Sequence, residues 1–490
     1  MEKKDRYCGI LIHPTSFASP YGIGDLGQEA RQTLEKLAAS NVKLWQILPL
    51  GPTGYGDSPY AARSSFAGNE LLIDLRQIPG SNYPDTWHDR CSRVDYNFVY
   101  ANKFAFLKDA AEKWHKHNLE NPDFTDFCSK NSWWLDDYAL YQSLVNLFKD
   151  SRWFVWDSKI RDREPETVEH YKEMLADSIN IYKTLQYFFF IQWNSLHEYA
   201  NSLGIRIIGD IPIFCSGDSV DVWTNRKLFK IDGQGRQKAQ AGVPPDAYSS
   251  TGQLWGNPVY NWKEHEKDDF AWYRRRVEMT LQTVDIVRID HFRGLESYWE
   301  VPSGSPDASY GKWVKGPGMK LVKHFRNSDI IAEDLGVITP EVEKLLDESG
   351  FPGMKVLQFA FDLWNGRLNK DNYYLPYNFN YNCAAYTGTH DNNTSRGWFS
   401  NLSEDYKDIV RRFFQSSDDD IVWQMIRALL SSTAKYAIIP MQDLMELGCD
   451  ARMNAPSTVS TCNWSWRMNP ARLDNYRLDR LREYINLYGR

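Results

Sequence analysis

The stretch Asp285-Ile286-Val287-Arg288-Ile289-Asp290 decides how this sequence is read. Its β-branched residues favour extended backbone, and the run stops abruptly on an acid. Seven further short apolar runs recur, most of them ending near Gly, Pro, Asp or His. Before it come Gly9-Ile10-Leu11-Ile12-His13-Pro14, Val42-Lys43-Leu44-Trp45-Gln46-Ile47-Leu48-Pro49 and Ile205-Arg206-Ile207-Ile208-Gly209-Asp210. After it come Ile330-Ile331-Ala332-Glu333-Asp334, Lys355-Val356-Leu357-Gln358-Phe359, Ala384-Ala385-Tyr386-Thr387-Gly388 and Ala437-Ile438-Ile439-Pro440-Met441. These largely apolar runs suit strands of a parallel sheet buried on both faces.

Helical signals lie between several of these runs. Residues 27–40 carry an amphipathic pattern before the second run. Thr339-Pro340-Glu341 has the hydroxyl and first-turn proline of a helix start. Eight strands alternating with helices predict a (β/α)8 barrel, an α/β fold of the TIM type. An open doubly wound sheet is the alternative, but no Gly-x-Gly-x-x-Gly follows the first run.

At 490 residues the chain is long for one domain of roughly 150 residues, which fits either about three units or one large barrel with insertions. The spacing favours insertions. Residues 51–204 separate the second and third runs and read as mostly helical, for example over 102–116 and 168–199. Residues 214–284 follow the third run; within them 214–262 are rich in Gly, Pro, Ser and Asn and read as loops, including 241–258. The expectation is a single catalytic barrel over 1–490 carrying both insertions.

Composition narrows the function classes. Hydrophobic residues make up 42% and charged residues 25%, ordinary for a folded chain. With 57 basic and 64 acidic side chains the net charge is -7, and no basic surplus speaks for nucleic acid or an anionic membrane. Tyr187-Phe188-Phe189-Phe190-Ile191, the longest aromatic-apolar run, falls far short of the roughly 20 residues needed to cross a bilayer. The N-terminal Met-Glu-Lys-Lys-Asp-Arg-Tyr has no apolar stretch behind it and is not read as a secretory signal. Seven scattered cysteines (Cys8, Cys91, Cys128, Cys215, Cys383, Cys449, Cys462) form no Cys-x-x-Cys pair, which predicts reduced thiols in a cytoplasmic protein.

In a barrel the chemistry sits at the C-terminal ends of the strands. Those ends carry Asp210, Asp290, Glu333 and, beyond the seventh run, His390-Asp391. Arg288 and Asp290 are two apart on one strand and share a face. A ring of acids suits two chemistries: cleavage or transfer at a glycosidic bond, with one carboxylate as nucleophile or base and one as acid, or the holding of a divalent cation. Aromatics favour the first. Tyr55 and Tyr60, Trp255, Trp398, and Trp464 with Trp466 lie in segments near the acids, and Gln and Asn amides accompany them. Arg274-Arg275-Arg276 reads as a solvated helix face, His13 and His197 as structural histidines, and Ser416-Ser417-Asp418-Asp419-Asp420 as a capped helix start.

The sequence also closely resembles the amylomaltases, the 4-α-glucanotransferases of glycoside hydrolase family 77 in the α-amylase clan. The resemblance runs from Leu11-Ile12-His13-Pro14-Thr15-Ser16 to Asn463-Trp464-Ser465-Trp466-Arg467. It includes Val287-Arg288-Ile289-Asp290-His291-Phe292-Arg293-Gly294, Ala332-Glu333-Asp334-Leu335-Gly336, Thr389-His390-Asp391-Asn392, and the segment from Pro244-Pro245-Asp246 to Pro258. It implies Asp290 as nucleophile, Glu333 as acid/base and Asp391 as transition-state stabiliser. Tyr60, Asp210, Gln253, Trp255, Arg288, His291, His390 and Asn463 would bind substrate, and Tyr55 would serve a secondary glucan position. It implies maltooligosaccharides and α-1,4-glucans as substrates, with no cofactor and no metal. Departures from the family pattern are Ala247 before Tyr248, where an aromatic pair is common, and Ser457 and Cys462, where glycine is usual. Rival readings are a hydrolase of the same clan, a catalytically silent glucan-binding protein and a metal-dependent barrel enzyme.

Overall fold

The computed structural model describes residues 5–84, 87, 92–245, 249–364 and 366–490. Ala247, Tyr248 and Cys91 therefore lie outside the described residues. Strands are numbered in chain order. Eight of them, β1 (Tyr7–Leu11), β2 (Leu44–Gln46), β3 (Arg206–Ile211), β6 (Ile286–Ile289), β9 (Ile330–Ala332), β10 (Gly353–Val356), β13 (Cys383–Tyr386) and β14 (Tyr436–Pro440), form one parallel sheet. β4 (Ala239–Val243), β5 (Gln253–Pro258), β7 (Ser297–Pro302) and β8 (Lys312–Lys315) form a second sheet. β11 (Leu363–Trp364) and β12 (Arg367–Leu368) make a short hairpin.

The parallel sheet runs β10-β13-β14-β1-β2-β3-β6-β9. Its two ends meet where the Ala332 N–H donates to the Pro352 carbonyl at 2.9 Å, so the sheet curls into the expected barrel. Every residue of β2, β6, β9, β13 and β14 is buried, as strands packed on both faces require. The crossover helices bury one stripe each. Helix Gln28–Ala39 turns Ala30, Leu34 and Leu37 inward, and helix Pro340–Ser349 turns in Val342 and Leu345. Thr339 and Pro340 begin that second helix, and Gly350 ends it in the left-handed conformation, φ 75°.

Between β2 and β3 two helices of 27 residues, Pro122–Phe148 and Ala176–Ser202, pack together through aromatic rings. The Tyr187–Phe190 run lies in the second helix, buried, as a packing surface. Its Trp193 ties this layer to the barrel by donating to the Thr283 carbonyl at 2.8 Å. No described helix is long and apolar enough to cross a membrane.

Two sequence expectations are corrected. Residues 214–262, read as loops, contain β4 and β5, which pair antiparallel with each other, and β4 also pairs antiparallel with β7. The sequence Ala239-Gln240-Ala241-Gly242-Val243 carries little strand propensity of its own. Its extended form comes from pairing with β7, where Val301 and Trp299 lie opposite Gln240 and Gly242. Arg276, read as part of a solvated face, is buried. Three consecutive residues on a helix point about 100° apart, so one of a triplet must face inward here. Arg276 donates to the carbonyls of Pro212 at 2.6 Å and Ile213 at 3.1 Å, and to the Tyr260 hydroxyl at 3.1 Å. It thereby fixes the chain leaving β3. Residues 416–420 do precede helix Ile421–Ser431, but Asp420 makes no capping bond and instead accepts from Gln424 and Arg480.

Replacing Arg276 with Met removes those three charge-assisted bonds and leaves their acceptors buried. The expected cost is about 2–4 kcal/mol in denaturant unfolding. An unchanged midpoint would contradict the anchoring role.

Candidate active site

Four strand ends deliver the acids. Asp210 is the next-to-last residue of β3, Asp290 directly follows β6, Glu333 directly follows β9, and His390-Asp391 follow β13. The barrel register holds the first three together. The Asp290 N–H donates to the Ile211 carbonyl at 3.0 Å, and the Glu333 N–H donates to the Ile289 carbonyl at 3.0 Å.

Arg288 sits at the centre. One guanidinium nitrogen donates to Asp210 Oδ2 at 2.6 Å and the other to Asp290 Oδ1 at 3.0 Å. Asp210 Oδ2 also accepts from the Tyr60 hydroxyl at 2.6 Å, while its Oδ1 is buried without a partner among the described residues. Burial pushes the Asp210 carboxyl up to about 7, with Arg288 opposing and the Asp290 charge adding to the rise. Asp290 is also raised by burial, again against the pull of Arg288, and keeps 26% of its side chain exposed in the cleft.

Glu333 accepts two backbone bonds, from His291 N–H on Oε2 and from Leu335 N–H on Oε1, both at 2.7 Å. The first depends on His291 holding left-handed backbone, φ 48°. Burial, reinforced by the charge of Asp290, pushes Glu333 up to about 8. One cation serves three carboxylates, so Glu333, which makes neither of Arg288's two bonds, holds its proton most tightly.

Asp391 is the most exposed of the acids, and Asn454 donates to its Oδ1 at 2.6 Å. The Arg452 guanidinium holds the Asp391 carbonyl at 2.6 Å. His390 is buried, stacked on Tyr60 at 5.0 Å between ring centres, and burial lowers its basicity. His291, lowered to about 3 by burial, meets the Trp255 ring edge-on at 4.9 Å.

Most of the anticipated residues come together around one cavity of about 460 Å³. Asp290, Glu333, Asp391, Tyr60, Gln253, Trp255, His291, His390, Asn463 and Tyr55 all line it. Asp210 and Arg288 lie beneath, behind Tyr60 and Asp290. Tyr55, 73% exposed, stands at the rim of this same cavity. Asn463 faces it but commits its amide to the neighbouring loop, accepting from Ala455 N–H and donating to Thr458. Of the aromatics named near the acids, Trp398 packs on Phe361 away from the cavity. Trp464, not assigned a site role from sequence, lines the cavity against Tyr60 and His390. Asn454 was missed as well, although Met453-Asn454 lies in a segment that resembles the family's late loop. Ser457 keeps a left-handed backbone, φ 62°, the conformation that glycine adopts without strain. His13 is a structural histidine, accepting from Leu48 N–H, and His197 pairs with Asp285.

A (β/α)8 barrel whose strand ends bring several carboxylates together in an aromatic cleft has the arrangement of a glycoside-active enzyme. Comparison with known proteins gives the particular family. The family model described as 4-alpha-glucanotransferase, glycoside hydrolase family 77, matches residues 12–473. The chain belongs to that family and has its 4-α-glucanotransferase activity, acting on α-glucans. It is 43% identical to the 4-alpha-glucanotransferase of Thermus thermophilus over 97% of each chain. Identity to that of Synechocystis is 44%, over 99% of this chain and 98% of the relative. Among solved structures, an amylomaltase from Streptococcus agalactiae in complex with acarbose superposes with a TM-score of 0.95 at 37% identity, covering 99% of this chain and all of that one.

Arg288→Lys tests the two-armed bridge. A lysine ammonium cannot hold two carboxylates in one plane, so kcat/KM on α-glucan should fall about 10²-fold with the fold retained by circular dichroism. Wild-type kinetics in this variant would refute the bridge.

Proposed function

We propose that the chain disproportionates maltooligosaccharides and other α-1,4-glucans by a retaining double displacement. Asp290 attacks the anomeric carbon of the donor, and its C–O bond to the sugar forms as the glycosidic bond breaks. Glu333 gives its proton to the departing oxygen. The freed 4-hydroxyl chain leaves, and the 4-hydroxyl of an acceptor glucan takes its place. Glu333, now a carboxylate, removes the acceptor's proton as that oxygen displaces Asp290. Asp391 holds sugar hydroxyls and offsets positive charge developing on the ring. Tyr60, His390 and Trp464 supply stacking surface, and Gln253 and Trp255 cover the acceptor side.

The observation that carries this reading is the division of labour between neighbouring strand ends. Asp290 is bonded to Arg288 and therefore favoured as an anion, while Glu333 is pushed up to about 8 by burial and by Asp290. One is ready to attack and the other to donate at neutral pH.

Choosing transfer over hydrolysis requires that a sugar hydroxyl outcompete water. Positioning can supply effective molarities of roughly 10⁵ M or more. The strand β5, with Trp255 against His291, is the wall that shields the intermediate and orients the acceptor. A reducing compartment, the cytoplasm, is our reading of location, supported by six described cysteines that are all free.

With maltotriose, the wild type should yield a ladder of shorter and longer oligosaccharides at constant total reducing ends, and Asp290→Asn should yield none. Reducing ends that climb with turnover would assign hydrolysis instead.

The pH profile of kcat/KM follows from the two carboxyls. Activity needs Glu333 protonated, so it declines as pH rises through about 8. It needs Asp290 ionised, so it declines on the acid side at a pH above the ordinary carboxylate value. Glu333→Gln should lose about 10³-fold in rate and the alkaline limb with it. An alkaline limb that persists in this variant would assign it to another group.

A further inference from the structure

One more barrel strand ends near an acid, and the catalytic reading leaves that acid unused. β14 passes directly into helix Met441–Leu444, which carries Asp443. The residue is buried and does not line the cavity that holds Asp290, Glu333 and Asp391. Its carboxylate instead receives three hydrogen bonds. The Thr387 hydroxyl donates to Oδ2 at 2.6 Å, the Ser395 hydroxyl to Oδ2 at 2.7 Å, and the Ser395 N–H to Oδ1 at 2.6 Å.

The two donor residues bracket the segment that presents His390 and Asp391. Thr387 directly follows β13, and Ser395 opens helix Ser395–Ser400. Between them the chain is tied to itself. Asn392 Oδ1 accepts from the N–H and the hydroxyl of Thr389, at 2.8 and 2.9 Å, and the Asp391 N–H donates to that same hydroxyl at 3.3 Å. A segment so tied moves as a unit, and its freedom is set at its two ends. As a first-turn amide the Ser395 N–H lacks an acceptor within its helix, so an anion beside it is favourable. An ionised carboxylate offers only acceptors, which suits three converging donors. Gln358 also holds the segment, donating to the Asn393 carbonyl at 2.9 Å, and Arg452 and Asn454 hold it from the cleft side. Of these supports, Asp443 alone joins the two ends.

We infer that Asp443 is a positioning residue for the transfer reaction: it clamps both ends of the 387–395 segment to the end of the last barrel strand and so holds Asp391 against the sugar ring. The inference rests on the role proposed above for Asp391. That role demands accuracy, because a carboxylate misplaced by about 1 Å can cost about 10²-fold in rate. Asp391 has no strand of its own to fix it, since five residues separate it from the end of β13. The clamp supplies the rigidity that Asp290 and Glu333 take directly from β6 and β9.

The test is steady-state kinetics with α-maltosyl fluoride as donor and maltose as acceptor, because the good leaving group keeps slow variants measurable. Asp443→Ala should lower kcat about 10²-fold, with KM little changed and the fold retained by circular dichroism. Asp443→Asn keeps an oxygen for the Ser395 N–H and an amide that can donate to the two hydroxyls, so it should recover most of that loss. In an Asp391→Asn background, Asp443→Ala should cost about twofold or less, because the carboxylate it positions is already gone. A purely structural role would lower the unfolding midpoint and cost both backgrounds equally. Equal losses in the two backgrounds, or wild-type kcat in Asp443→Ala, overturn the inference. If Asp443→Ala does not fold, Thr387→Val decides. It releases one end of the clamp at nearly constant side-chain shape, and should lower kcat about tenfold in the wild-type background but not beside Asp391→Asn. Full activity of Asp391→Asn would overturn the role proposed for Asp391 and the clamp with it, whereas loss in Asp391→Asn without loss in the clamp variants overturns the clamp alone.

Discussion

The site depends on a charge imbalance: one buried guanidinium among three carboxylates, of which Asp210 and Glu333 are buried and Asp290 opens to the cleft. Arg288 reaches two of them directly, Asp210 and Asp290, and leaves Glu333 with backbone N–H groups alone. Isolated buried carboxylates are costly, and a full set of three anions around one cation would leave two charges unmatched. The inexpensive solution is to retain protons. In the proposed mechanism that structural constraint has a catalytic use, because a carboxyl that keeps its proton at neutral pH can act as a general acid.

The barrel is what makes the imbalance possible. Parallel register aligns the ends of β3, β6 and β9, so carboxylates that lie tens of residues apart in sequence share one rim. Outer layers then supply what strand ends cannot. The segment holding Tyr60 roofs Asp210. The late loop brings Trp464 and Asn454 to the other side. The antiparallel sheet presents Trp255 to His291. Each layer is anchored independently, for example by Arg276 under the chain leaving β3.

The barrel was legible in the sequence because buried parallel strands are locally conspicuous: each is a short, largely apolar run, most of them ending near Gly, Pro, Asp or His, and all eight runs became barrel strands. The acids were legible for the same reason, since they mark where the runs stop. What escaped was structure created by tertiary pairing. β4 is Ala- and Gly-rich and owes its extended form to β7. The triplet Arg274-Arg275-Arg276 carries no phase, so the inward member could not be singled out by type. Asn463, which the family resemblance places in the substrate site, lines the cavity and also holds the loop through its amide. Trp464 reaches Tyr60 and His390 only through a long return of the chain.

The central claim concerns the protonation of Glu333, and it is measured most directly by carbon-13 NMR titration of that carboxyl in wild type and in Asp290→Asn. The account predicts that wild-type Glu333 is still protonated at neutral pH and titrates near 8, and that it titrates lower once the neighbouring charge is removed. A Glu333 that is ionised by pH 6 in the wild type, or one indifferent to the loss of Asp290, would contradict it.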